Sequence, residues 1–303
     1  MINKSYSFLA IGKTQESTET AEFKRYVGVG SSFVVAVNPT KKELETIYGR
    51  EQANDPEYVV DTDNGKEARI SFVVKTDPAV NKGIEILNRV MFTLRNTPAY
   101  NRDQTKVQII DKYGNVTWVD TEVAKAGGQI LTKGGTPAKI GPQYRMACVG
   151  EADLIGFLKA YLCVGDAFNY INGSWVLKDN AEDFVFGLEH IKDYFTGNFS
   201  EVKEAIALQP NNKVKLLYGI RTTDEGKQYQ AVATRYGMVL HNNAGSNALS
   251  RLEKELANAK QAGSYASTEF KVQELAEYSI VPTDLNNAPA ADTTTSGGDM
   301  PWD

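Results

Sequence analysis

Basic and aromatic residues alternate between positions 95 and 145, and these are the residue types that bind a single-stranded nucleic acid. The segment holds eight basic residues against four acidic ones, and no acidic residue lies between Lys125 and Arg145. Because cations neutralise phosphates while flat rings stack on exposed bases, this combination predicts a binding surface. The predicted contact residues are Arg95, Tyr100, Arg102, Lys106, Lys112, Tyr113, Trp118, Lys125, Lys133, Lys139, Tyr144 and Arg145.

Taken singly, each of these residues also has a structural interpretation. Aromatic residues in strands usually belong to the core, and lysines in glycine-rich loops such as residues 125–142 are usually solvated. It is the cluster as a whole that favours a binding surface. The following residues, 146–210, carry four basic and ten acidic side chains. We expect that region to face away from phosphates, or to face a basic partner, and as a solvated helical face it needs no function.

The end of the chain predicts a flexible acidic tail over residues 283–303. The segment is rich in Ala, Thr, Ser, Gly, Pro and Asp, with four carboxylates and no lysine or arginine. A large aromatic residue beside a proline and between carboxylates suits an apolar pocket with a basic rim on a partner. A terminus without function is the alternative. The predicted partner-binding residues are Asp299, Met300, Pro301, Trp302 and Asp303.

That tip resembles the C-terminal peptide of single-stranded DNA-binding proteins (SSBs), which ends in acidic residues, an apolar residue, proline and phenylalanine. Met300-Pro301-Trp302 matches the apolar, proline and aromatic positions. Trp302 stands where phenylalanine is usual, Asp303 extends the chain beyond it, and Asp299 is the one acidic residue directly upstream. The resemblance implies a tail that recruits replication and repair enzymes.

The body does not resemble the short bacterial SSB. Two of its stretches, GEADLIGFLKAYL at residues 150–162 and GNFSE at residues 197–201, look like those of SSB-type replication proteins in crAss-like gut phages. This resemblance implies a phage-encoded protein of DNA replication, recombination and repair.

Motifs of enzyme chemistry are incomplete. Gly12-Lys13-Thr14 imitates the end of a phosphate-binding loop, but Ser7 occupies the position of its first glycine. The glycines of 28–30 precede a strand-like run instead of a helix. His190 and His241 sit in no nucleophile or metal pattern. We therefore expect no catalytic residue, no metal, no other cofactor and no small-molecule substrate.

Composition and charge favour a globular body with a local binding surface. The 303 residues are 42% hydrophobic and 10% aromatic, which supports a real core. The net charge is −5, and without the four tail carboxylates the body carries −5 + 4 = −1. A nearly neutral body argues against a polybasic binder but allows a basic groove. The start lacks an apolar signal stretch and no run approaches membrane-spanning length, so we expect a cytoplasmic protein, in the host cytoplasm if phage-encoded.

Local patterns predict strands at both ends of the body and helices between them. We expect strands at 33–37, 70–74, 106–110, 213–220, 228–234 and near 277–281. Thr40 and Glu43 predict a capped helix that ends at Gly49, and Gly114 predicts a hairpin turn between 107 and 119. Further helices are predicted at 154–162, 188–195, 200–208 and 246–261.

These elements predict an α+β fold, and we expect an antiparallel, OB-like barrel over residues 1–282, with a helical insertion at about 150–210. The choice of an OB-like barrel leans partly on the resemblance. The expected function is sequence-independent binding and protection of single-stranded DNA, with recruitment of replication or recombination proteins by the tail at 283–303. The main alternative is a non-catalytic virion or assembly protein whose C-terminal peptide docks on a partner, and a weaker one is an accessory subunit of an enzyme of the replication machinery. We expect no membrane partner.

Overall fold

The fold is α+β, as expected, with a strongly curled antiparallel sheet that forms half a barrel and few helices. The computed structural model describes residues 23–79, 85–162, 167–184, 191–222, 228–232, 234–235, 238–239, 241–243 and 279–283.

Within these ranges the strands follow one another as β1 (Phe23–Val37), β2 (Val59–Thr62), β3 (Gly65–Thr76), β4 (Leu87–Pro98), β5 (Lys106–Asp111), β6 (Val116–Asp120), β7 (Tyr144–Met146), β8 (Cys148–Val149), β9 (Phe168–Ile171), β10 (Ser174–Leu177), β11 (Val214–Thr222), β12 (Gln228–Val232), β13 (Thr234–Arg235), β14 (Met238–Val239), β15 (His241–Asn243) and β16 (Ser279–Thr283). The helices are α1 (Lys41–Tyr48), α2 (Thr121–Ala126), α3 (Glu151–Leu162), α4 (Ile191–Tyr194) and α5 (Ser200–Ala207), and Ala181–Phe184 is a 3₁₀ helix.

The central sheet has the strand order β12-β11-β1-β3-β4-β8, with β2 added to β3, β15 to β11 and β16 to β1. Strands β3 and β4 alternate buried apolar residues with polar ones, which is the period of a strand with one face on the core. Ile70 pairs with Phe92, and Phe72 pairs with Val90, and all four are buried. The opposite face of both strands carries the charged residues.

Strand β3 exchanges one neighbour for another along its length. The register of β1 on β3 shifts between Val34 and Ala36, and β1 then departs. Beyond the last paired residue of β1, the buried Asn38 side chain binds the β3 backbone: it accepts from Ser71 N at 2.6 Å and donates to Arg69 O at 3.1 Å. Strand β2 pairs with the remaining half of β3. The connection between β1 and β2, which contains α1, therefore stays close to β3.

Helix α3 fills the inside of the curled sheet. Leu154, Phe157, Leu158 and Tyr161 are completely buried. The Phe157 ring centroid lies 4.8 Å from that of Phe72, so the helix packs directly on β3. This is the apolar stripe that the sequence predicts for 154–162.

The junction between β8 and α3 requires glycine. Gly150 has φ +84°, and a Cβ at this position would lie 2.1 Å from the Thr93 carbonyl oxygen on β4. Because a side chain would clash with backbone, the close approach of β8 to β4 depends on this residue.

The β11–β12 hairpin brings β12, at one end of the strand order, close to β4. Strand β11 returns to lie beside β1, where the buried Tyr218 hydroxyl lies 2.7 Å from Ser32 Oγ. Strand β12 continues from β11, and Asn88 Nδ2 on β4 donates to the Gln230 carbonyl oxygen on β12 at 3.2 Å. Strand β12 is the first strand of the order and β4 is the last but one, so this hydrogen bond shows that the sheet curls.

A second, three-stranded sheet in the order β6-β5-β7 extends from the end of β4. The Asp111 carboxylate closes its β5–β6 turn, because it accepts from Tyr113 N and Asn115 N, each at 2.9 Å. The same carboxylate accepts from Gly141 N at 2.5 Å. Asp111 therefore anchors the glycine-rich stretch to the hairpin turn.

Most of the predicted elements within the described ranges are confirmed. The strand predictions fall in β1, β3, β5, β11, β12 and β16, and the helix predictions in α1, α3, α4 and α5. Strands β2 and β4, helix α2 and the β9–β10 hairpin were not predicted from the sequence. The predicted helix at 246–261 lies outside the described residues. Strand β16 ends at Thr283, the first residue of the predicted tail, and 284–303 also lie outside them. None of the helices in the described ranges has the length and apolar character needed to span a membrane.

Candidate nucleic-acid interface

The side of β3 and β4 that faces away from the core is rich in cations. Register pairs the outward residues as Glu67 with Arg95, Arg69 with Thr93, Ser71 with Met91, Val73 with Arg89, and Lys75 with Leu87. We call this set the β3–β4 outer face. It holds four cations and one carboxylate, in a body whose net charge is close to zero. Ser71 and Val73 at its centre are buried, whereas the four cations are half-buried or exposed.

Aromatic rings lie beside two of these cations. The Arg89 guanidinium donates to Ser71 Oγ and lies 5.9 Å from the centroid of the Tyr58 ring. Tyr58 precedes β2, in the connection that stays close to β3. On β1, Phe33 pairs with Lys75, and Lys213 Nζ lies 5.0 Å from the Phe33 ring centroid. One ring on β1 and one in the connection before β2 therefore lie beside cations of β3 and β4.

The surroundings of this face shift the pKa values of Asp77 and Tyr58. Lys213 Nζ lies 2.5 Å from Asp77 Oδ2, and its hydrogen bond holds the pKa of that carboxyl below its usual value. Burial raises the pKa of the Tyr58 phenol to about 12, while Arg89 acts in the opposite direction. Tyr58 is consequently a neutral ring that donates its hydroxyl proton to Pro39 O at 2.7 Å.

Four of the cations predicted from sequence form ion pairs with residues that the structure describes. Arg95 Nε lies 2.9 Å from Glu67, Lys112 Nζ 2.6 Å from Glu182, and Lys125 Nζ 2.9 Å from Glu122. Arg145 donates through both terminal nitrogens to Glu151. Glu151 and Glu182 belong to the acidic region 146–210, so two of its ten acidic residues pair with cations of the same chain.

Arg145 is a structural residue in this arrangement. Glu151 is completely buried at the start of α3, and its carboxylate also accepts from Cys148 N at 2.8 Å. Burial, followed by the Glu151 charge, raises the pKa of the Cys148 thiol to about 12. Arg145 and Cys148 line a cleft of about 540 Å³ together with Pro98, Met146, Ile191, Lys192 and Phe195.

The remaining predicted cations are open to solvent or lie on a ring. Arg102, Lys106 and Lys133 are exposed and form no ion pair with any residue that the structure describes. Lys139 Nζ lies 5.1 Å from the centroid of the Trp175 ring. Lys139 thereby joins the glycine-rich stretch to the β9–β10 hairpin.

The predicted aromatic residues differ in their accessibility. Trp118 on β6 is 46% exposed and available for stacking. Tyr113 is 4% exposed and packs edge-on against Phe168, so its ring belongs to a small core. This differs from the expectation that the Tyr113 ring stacks on a base. Tyr100 and Tyr144 are half-buried against the core of the three-stranded sheet.

The β9–β10 hairpin (Phe168–Leu177) is the main feature that the sequence interpretation missed. Its Tyr170, Ile171, Val176 and Leu177 side chains are all exposed. The turn Asn172-Gly173 has positive φ at both residues, 49° and 81°. Asn-Gly between aromatic and β-branched residues is the signal that predicts such a hairpin.

The predicted tip residues Asp299, Met300, Pro301, Trp302 and Asp303 lie outside the described residues. Within the described ranges, no group of three or more His, Cys, Asp or Glu side chains is arranged to hold a metal ion. No protein family, curated protein or solved structure matches the chain.

Proposed function

We propose that this protein binds single-stranded DNA without sequence preference, through an OB-like barrel whose outer face carries the cations. The proposal includes protection of the strand and recruitment of replication or recombination proteins by the C-terminal tip. The resemblance of 300–302 to the SSB tip, and of 150–162 and 197–201 to phage replication proteins, supports the same function.

The strand order supports an OB-like barrel. In that fold a three-stranded meander is followed by a helical connection and a hairpin that returns beside the first strand, as a partly open Greek-key barrel. Here β1, β3 and β4 form the meander, α3 to α5 the connection, and β11–β12 the hairpin. The Asn88–Gln230 hydrogen bond lies at the position where such a barrel closes.

The cationic β3–β4 outer face is the observation that carries the functional proposal. OB folds bind oligonucleotides on the face of their second and third strands, and β3 and β4 hold those positions in the order above. Cations on this face neutralise phosphates, and the half-buried Phe33 ring beside Lys75 provides flat apolar surface. Neither feature selects a base sequence, because no base-edge recognition is involved.

The test is a titration with poly(dT) at several salt concentrations. We expect binding that weakens as salt rises, since each neutralised phosphate releases counterions and contributes a slope of about −0.7. The double substitution Arg69→Gln and Lys75→Gln removes two cations of the β3–β4 outer face. It should reduce the magnitude of the salt slope by about 1.4 and weaken binding at low salt.

A matched control removes the same charge elsewhere. Lys42 lies exposed on α1, and Lys66 lies near the β2–β3 turn and is not part of the β3–β4 outer face. Lys42→Gln with Lys66→Gln should leave the slope close to that of the unchanged protein. Equal effects of both double substitutions would show that the outer face is not the binding surface. If the unchanged protein does not bind poly(dT) even at low salt, the proposed function is ruled out.

A further inference from the structure

The β9–β10 hairpin exposes several large apolar side chains to solvent. Tyr170 is 63% exposed, Ile171 49% and Val176 46%, all within ten residues. Large exposed apolar side chains that lie together mark binding sites in water-soluble proteins. A ligand of this hairpin contacts either its rings or its aliphatic groups, depending on which face it meets.

The two faces of this hairpin differ in chemistry. Register pairs Tyr170 with Trp175, so both rings lie on one face. Val176 pairs with Asn169 and Ile171 with Ser174, so the other face is aliphatic and polar. The Tyr170 and Trp175 ring centroids are 4.8 Å apart with an interplanar angle of 55°. One face thus presents a pair of adjoining rings.

A cation completes the aromatic face. Lys139 Nζ lies 5.1 Å from the centroid of the Trp175 ring, which gives the spatial order Lys139, Trp175, Tyr170. A cation next to two successive rings is the arrangement that takes a phosphate and its neighbouring bases.

The base of the hairpin is fixed, so the rings are held in place before a ligand arrives. Phe168 is buried and packs edge-on against Tyr113 with ring centroids 6.0 Å apart. Lys112 and Glu182 form an ion pair at 2.6 Å beside the same Tyr113. Preorganised rings lose little conformational freedom on binding.

We infer that the aromatic face of the β9–β10 hairpin is a base-stacking site for single-stranded nucleic acid, outside the barrel, with Tyr170 as the outer ring and Lys139 as the phosphate contact. This inference rests on the proposed function and extends it to a second surface. It also gives a role to Lys139, which the sequence analysis singled out and which lies away from the β3–β4 outer face.

The experiment compares two substitutions that introduce the same residue on opposite faces. Tyr170→Thr and Val176→Thr both place a β-branched residue in the strand, but only the first removes a ring from the aromatic face. We expect Tyr170→Thr to weaken poly(dT) binding about 5- to 150-fold, as expected for the loss of one stacked base. Val176→Thr and Tyr170→Phe should bind as the unchanged protein does, since both keep the ring pair.

Tryptophan fluorescence provides an independent measurement. The chain has three tryptophans, so Trp118→Phe with Trp302→Phe leaves Trp175 as the sole tryptophan, which is excited selectively at wavelengths that tyrosine does not absorb. Its emission should be quenched on addition of poly(dT). Unquenched emission from bound protein, or equal affinity losses in Tyr170→Thr and Val176→Thr, would overturn the stacking site. If the unchanged protein binds and Tyr170→Thr binds equally well, the inference fails while the proposed function stands. If the unchanged protein does not bind, both fail.

Discussion

At the scale of single residues, burial separates cations that hold the fold together from cations that can meet a ligand. Arg145 and Arg102 are both arginines of the predicted cluster, yet Arg145 pairs with the buried Glu151 while Arg102 is exposed. Removing Arg145 leaves a charged carboxylate in the interior with Cys148 N as its remaining described donor. An unpaired buried charge is among the most destabilising defects of a folded protein.

We therefore expect Arg145→Ala to lower the free energy of unfolding by about 3 kcal/mol, the low end of the range for broken buried pairs, because Arg145 is itself partly exposed. Arg102→Ala, the matched control, should change it by less than about 0.5 kcal/mol. Urea unfolding followed by circular dichroism measures both. Equal stability of the two variants would contradict the structural role of Arg145.

The sequence alone predicts the composition of this cluster but not the partners of its members. Glu182 is 70 residues from Lys112 along the chain, and their contact depends on how the β9–β10 region folds back on the β5–β6 turn. Tyr113 likewise lies in the β5–β6 turn, where the sequence alone suggests an exposed side chain, but Phe168 packs against its ring. Every second residue of a strand lies on the same face, so the β3 half of the β3–β4 outer face follows from the sequence of β3. The β4 half was missed because β4 was not predicted.

At the scale of elements, the first turn of α1 shows how a local motif gives a pH-dependent contribution. Thr40 N and Oγ1 donate to Glu43 Oε2 at 2.7 and 2.9 Å, and Glu43 N donates back to Thr40 Oγ1 at 3.3 Å. These bonds, the backbone one first, lower the pKa of the Glu43 carboxyl. Since the folded pKa lies below the unfolded one, the stabilisation is present above the unfolded pKa and is lost as pH falls through the folded pKa.

We expect Thr40→Ala to cost about 1 kcal/mol at neutral pH, as other lost N-caps do. Glu43→Gln should cost about 0.3–1 kcal/mol at neutral pH, a modest value because the side chain is exposed and screened by solvent. Its cost should shrink toward zero as pH falls through the folded pKa. Thr46→Ala, in the same helix but outside the cap, should be nearly neutral. Unfolding curves at pH 7 and pH 3 test this, and a Glu43→Gln cost that does not change with pH would contradict it.

Local signals of this kind were sufficient for α1, α3, α5 and the β5–β6 hairpin. They were equally present for the β9–β10 hairpin, where Asn172-Gly173 is the turn signal, but the helical period of the neighbouring segments obscured it. Strand β2 was beyond local reasoning. It exists because β1 departs after its bulge and leaves half of β3 without a neighbour.

At the scale of the whole molecule, strand order decides where a ligand can bind. The sequence predicts that strands exist but not that β11 returns beside β1 or that β12 approaches β4. Those contacts join residues about 140 to 190 positions apart, such as Asn88 with Gln230 and Ser32 with Tyr218. The sheet that carries cations on β3 and β4 also includes β16, which ends at Thr283. The 20 residues that follow Thr283 hold four carboxylates and no lysine or arginine.

Those four carboxylates should compete with DNA phosphates for the cationic surfaces, since they are tethered and therefore present at high effective concentration. Deleting 284–303 changes the net charge from −5 to −5 + 4 = −1. We expect the shortened protein to melt at the same temperature, because β16 is retained. It should bind poly(dT) as tightly or more tightly, with the largest gain at low salt, where screening is weakest.

Trp302→Ala keeps every carboxylate and separates the aromatic anchor from the charges. It should leave poly(dT) affinity unchanged but abolish capture of replication enzymes, because the ring supplies pocket burial whereas the acids mainly steer the encounter. Melting curves, fluorescence titrations at two salt concentrations and pull-down with purified replication proteins measure the three effects. If deletion of 284–303 instead lowers the melting temperature, the tail packs on the body as a structural clasp, and the resemblance of its tip to that of SSBs is accidental.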